Sequence, residues 1–146
     1  MDTDASDPAG RAPALNWQEA STLRRVARPE EVEAAFSRGE ALVGVAVIAL
    51  ALNHPDAGVI LPQVARAMAA DDPEVRRQGV VALAHVARLH RTVDQHCVDL
   101  LRGFPRGNEA DDDLWSFVDH RLLPWWLWRY QSGQRWRWLV RDRWRG

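Results

Sequence analysis

His85, His90, His96 and the single Cys97 fall in one short stretch and are the residues best equipped to do chemistry. A metal held on a helix needs ligands three or four residues apart, so that both side chains leave the same face. His85 and His90 are five apart, which turns their rings away from each other. Helix-terminal or inter-helix hydrogen bonding is the expected use of these histidines, with no metal site. Cys97 stands alone, which excludes an intramolecular disulfide framework and favours a reducing compartment. The chain has no Gly-x-Ser-x-Gly, no phosphate loop and no HExxH. Its carboxylates come in runs at turns rather than as two groups set across a cleft. No catalytic residue and no cofactor is therefore expected, and the chain reads as a non-enzyme.

Charge carries more information than nucleophiles. Residues 1–119 hold 12 Arg against 19 Asp and Glu, net −7, while residues 120–146 hold 7 Arg against one Asp, net +6. The acids gather in clusters: Glu30, Glu31 and Glu33; Asp71 and Asp72; Glu109 with Asp111, Asp112 and Asp113. Each lies near the start of an expected helix, where a carboxylate caps free N–H groups and compensates the dipole. Three consecutive aspartates exceed what capping requires. If corresponding turns line up along one edge, the clusters merge into an acidic ridge that draws in a basic partner. The candidate contact residues are Glu109, Asp111, Asp112, Asp113, Trp115 and Asp71.

The basic end is also rich in tryptophan, six of the eight lying between 125 and 144. Trp125, Trp126, Trp128, Arg135, Trp136, Arg137, Trp138 and Trp144 form a second candidate surface. On a helix Trp136, Val140 and Trp144 make one stripe flanked by arginines. Three uses are open for this tail. It covers the end of the body, with arginine paired to acid and resting on indole faces. It lies on an anionic membrane. Or it binds another macromolecule, nucleic acid being disfavoured by the acidic body.

These residues must be positioned by helices. Residues 1–16 mix Asp, Ala, Pro and Gly without periodicity and are expected to be a disordered leader. They lack the basic and apolar regions of a secretory signal, so a cytoplasmic location is expected. A helical domain follows over 17–119. Trp17 to Arg28 can hold a short helix, and Pro29 opens a regular one that stops at Gly39. A nearly all-apolar helix from about Glu40 to Leu52 is too short to span a bilayer, which takes roughly 20 residues. Further helices are expected over about 57–70, 73–90, from Asp94, and from Glu109 to Val118, with Asp72 as N-cap and Pro73 at the first helical position. Short turns make these three antiparallel pairs, about 29–53, 56–90 and 94–119. Residues 120–146 form a Trp/Arg-rich segment, read as helical.

Asp72-Pro73-Glu74-Val75-Arg76, followed by Gly79, Ala82 and Leu83, resembles the second helix of a HEAT repeat. In that family such an Asp and Arg stack along neighbouring repeats, roles that would fall on Asp72 and Arg76. A longer stretch, from Ala41 to Val118, is similar to short bacterial HEAT-like proteins. Pro55-Asp56, Asp72 to Arg76, the run Ala82-Leu83-Ala84-His85-Val86-Ala87-Arg88-Leu89-His90 and the acidic Ala110 to Phe117 carry the likeness. Those proteins are similar to immunity proteins of polymorphic-toxin and contact-dependent inhibition systems. The resemblance implies an all-α, HEAT-like α-solenoid of about three helix pairs that binds and blocks a bacterial toxin domain, and the Trp/Arg tail lies outside the pattern. The alternative is a peripheral membrane protein or adaptor in which the tail binds anionic lipid or another protein.

Overall fold

The computed structural model describes residues 15–134, and every described element is a helix or a turn. A 3-10 turn at Ala20–Arg25 leads to α1 (Pro29–Arg38), α2 (Val43–Asn53), α3 (Ala57–Met68), α4 (Pro73–His90), α5 (Gln95–Leu101) and α6 (Glu109–Phe117). A second 3-10 turn, His120–Leu122, precedes a last helix, α7, over 125–134. Among the described residues no helix is long and apolar enough to cross a membrane.

The boundaries follow from local chemistry. Asp56, Asp72, Asp94 and Asn108 each stand in extended backbone, and their side-chain oxygens accept from N–H groups two or three residues on. That satisfies donors a helix start otherwise leaves free. Pro73 sits where its missing N–H costs nothing. α1 ends at Gly39, whose φ of 69° is the left-handed conformation that a residue without Cβ adopts freely. α2 starts at Val43 rather than Glu40, because residues 40–42 are spent reversing the chain after Gly39. The helix expected over Trp17 to Arg28 is only the 3-10 turn, which seats Leu23 and Val26 in the core beside α2. Leu15 and Asn16 already belong to the body: Leu15 packs on the core, and Asn16 is hydrogen-bonded to Thr22. The rest of the expected leader, residues 1–14, lies outside the described residues.

The helices pack in two rows. α1 lies against α3 and α3 against α5; α2 lies against α4 and α4 against α6. Within a row the helices run parallel. Glu33 of α1 accepts from Gln63 of α3 at 3.1 Å, and one turn on the Arg66 guanidinium lies 4.6 Å over the Phe36 ring. In the other row Arg77 and Glu109 share a recess at the N-terminal ends of α4 and α6, while Arg91 reaches the Phe117 ring at their C-terminal ends, 5.9 Å away. The core between the rows takes Leu50, Ile60, Leu83, Leu101 and Leu114, all fully buried. Each such side chain contributes roughly 1.5–3 kcal/mol by leaving water. α4 is central because Val75, Val80, Ala82, Leu83, Val86 and Ala87 give it apolar surface toward both rows.

Candidate interaction surface

At the start of α6 the acidic run divides into two kinds of residue. Asn108 accepts from the Asp111 N–H at 2.9 Å, and the Asp111 carboxylate reaches back to accept from Gly107 N–H at 2.9 Å. Asp111 so satisfies the N–H of the residue before the cap, one position further back than in a capping box. Asp111 is fully buried and takes a second hydrogen bond, at 3.1 Å, from Arg106. Arg106 in turn donates to Leu101 O at 2.6 Å and Phe104 O at 2.8 Å, and its guanidinium lies 4.1 Å over the Trp126 ring of α7. Burial pushes the Asp111 carboxyl above its ordinary range, against the pull of Gly107 and Arg106. Asp111 thus pins the α5–α6 loop. It is removed from the surface where the charge pattern had placed it.

Glu109 and Asp112 remain exposed and Asp113 is half-buried. Asp71, exposed, sits at the turn before α4, on the same edge of the molecule as the start of α6. The expected merger with Glu30 and Glu31 does not occur. α1 is parallel to α3, and Met68 at the C-terminal end of α3 lines the same recess as Pro73 and Glu109. The N-terminal end of α1, with Glu30 and Glu31, therefore lies at the opposite edge. Glu33 is spent on Gln63.

Between the starts of α4 and α6 lies a recess of about 650 Å³, with Met68, Val80, Leu100 and Phe104 among its lining and Arg76, Arg77 and Arg106 beside Glu109. Its cations are already engaged. Arg76 donates to Ala70 O and Asp71 O at 2.9 and 2.8 Å, holding its own turn. Arg77 pairs with Glu74. The edge is one of mixed charge, with Asp71, Asp72 and Glu74 exposed at the start of α4 and Glu109 and Asp112 exposed on α6.

Trp115 is half-buried, with one face stacked on His120 at 3.8 Å between ring centroids and its edge toward Trp128 at 5.0 Å. Trp128 Nε1 donates to His120 O at 3.0 Å, fixing the cluster. α7 folds back on the body, with Leu123 and Leu127 buried and Trp126 half-buried, while Trp125 and Trp128 stay exposed. Arg135, Trp136, Arg137, Trp138 and Trp144 lie outside the described residues.

The histidines and the cysteine are not brought to one place. His85 hydrogen-bonds Arg88, and burial, with Arg88 adding to it, holds its pKa below the ordinary value. Cys97 is buried, its Sγ donates to Leu61 O at 3.6 Å, and burial pushes its thiol far up. Among the described residues no three His, Cys, Asp or Glu side chains converge as metal ligands would.

Two features escaped the sequence reading although signals for both exist. Asn108 ahead of an acidic, apolar-periodic run announces a capped helix start, and Leu123 with Leu127, four apart on either side of Trp125 and Trp126, announces a buried pair. Arg106 as the hub of a loop had no local signal. Its partners come from three places in the chain.

The chain matches no protein-family model, no curated protein and no solved structure.

Proposed function

We propose that this chain is a non-enzymatic protein-binding module, a short HEAT-like α-solenoid of immunity type that binds and blocks a bacterial toxin domain in the cytoplasm. What supports the solenoid reading is the pair of parallel rows, α1–α3–α5 and α2–α4–α6, related by short turns. The observation that carries the binding role is that Glu109 and Asp112 stay exposed on α6, with Asp113 half-buried beside them, while Asp111 alone is absorbed into the fold. Like charges held side by side repel and contribute nothing to packing. A basic partner surface, such as the nucleic-acid-facing side of a nuclease, relieves that repulsion and is steered in by it.

The test is kinetic. A partner captured from the native host is titrated against wild type and against the triple variant Glu109→Lys, Asp112→Lys, Asp113→Lys. Association of the variant is expected to be roughly tenfold slower or worse, and wild-type association is expected to slow as salt is raised. An unchanged association rate would sink this reading.

A further inference from the structure

Three large apolar side chains within seven residues face solvent: Leu122 at 54% exposure, Trp125 at 62% and Trp128 at 42%. They are held in place. Trp125 and Trp128 are one helical turn apart on α7, so they share a face. Trp128 is fixed by its bond to His120 O, and the Arg102 guanidinium lies 5.7 Å over the Trp125 ring. The same region carries exposed Arg121 and Arg129, with Asp119 bonded to Arg121 and Asp112 held 3.4 Å from Gln131 as the acids near them. In sequence, residues 135–146 follow and add five Arg against one Asp.

We infer that the face formed by Leu122, Trp125 and Trp128, edged by Arg102, Arg121 and Arg129, rests on the surface of an anionic lipid bilayer. Indole suits the headgroup boundary because its ring is apolar while its N–H seeks a polar partner. A cationic rim of arginines is complementary to a surface of anionic headgroups, each basic residue strengthening adsorption about fivefold. This inference goes beyond toxin binding, which uses α6. The two fail separately, since association is read with α6 variants and adsorption with variants of this face.

The experiment uses the full chain and vesicles of phosphatidylcholine alone or mixed with phosphatidylglycerol. Wild type is expected to co-sediment with the mixed vesicles, with a blue shift of tryptophan emission and quenching by brominated acyl chains, and to release as salt is raised. The double variant Leu122→Gln, Trp125→Gln alters only exposed side chains and is expected to adsorb about tenfold more weakly. Leu89→Gln, at a leucine of α4 that is 48% exposed, is expected to adsorb as wild type does. The inference is overturned by an absence of adsorption, by equal adsorption to phosphatidylcholine alone, or by an equal loss in Leu89→Gln and the double variant. Binding of a single-stranded oligonucleotide without binding of vesicles overturns it too, reassigning the face to nucleic acid.

Discussion

Asp111 and Asp112 are adjacent and chemically identical, yet one is fully buried and the other exposed. The difference comes from position on the helix. Asp111 is three residues before buried Leu114 and one after buried Ala110, so it faces inward, where Arg106 and Gly107 N–H meet it. Removing one member of a buried pair leaves the other's charge and donors without a partner, which costs about 3 kcal/mol. Asp111→Ala is therefore expected to lower stability by about 3 kcal/mol in urea denaturation. Asp112→Ala, whose side chain accepts from Gln131 at 3.4 Å and from no other described residue, is expected to stay within about 0.5 kcal/mol of wild type. Equal, small effects of the two substitutions would mean that the Arg106–Asp111 tie does not hold the loop. Charge runs conceal this distinction, because nothing in three consecutive aspartates says which of them the helix rotates inward. The rotation becomes readable only once the cap, Asn108, has been located.

At the scale of elements, punctuation was the most legible part of the chain. Asp72-Pro73 and Asp94 start α4 and α5 where their chemistry says they must, and Gly39 ends α1. The pairing of helices was less so, since the acidic clusters belong to different edges, a fact set by which helices run parallel. Close approach of α3 and α4 explains a residue that looks like a flaw in the longest helix. A Cβ on Gly79 would lie 2.8 Å from the Met68 backbone nitrogen and from Met68 Cγ. In an open helix Gly→Ala gains about 1 kcal/mol from propensity, whereas overfilling a packed site costs about 1–3 kcal/mol. Backbone cannot swing away as a side chain can, so the packing cost wins here. Gly79→Ala is expected to lower the melting temperature. Gly133→Ala on α7, where no described residue lies within 4 Å of the added methyl, is expected to leave it unchanged or raise it. Stabilisation by Gly79→Ala would show that α3 and α4 are not in contact at this point.

For the molecule as a whole, the net charge of −1 hides two opposed ends, and the fold brings part of them together. α7 is no appendage: Leu127 is fully buried with the core of the two rows, Leu123 is buried nearby, and Trp126 sits under Arg106, the residue that also holds Asp111. One guanidinium thus couples the end of α5, the start of α6 and the C-terminal helix. Leu127→Ala removes buried apolar volume at that junction, where such truncations cost about 2–5 kcal/mol. If α7 is integral, the loss lowers the stability of the whole, and helix melting by circular dichroism and tryptophan fluorescence stay superimposed. If α7 were only docked, fluorescence, which reports chiefly on the tryptophan-rich C-terminal region, would shift to lower denaturant while the helical signal of α1–α6 held its midpoint. The expected outcome is one transition at lower denaturant seen by both probes. A body that melts with α7 holds the α6 acids and the Leu122–Trp128 face on one rigid unit. Their relative orientation is then fixed by the fold.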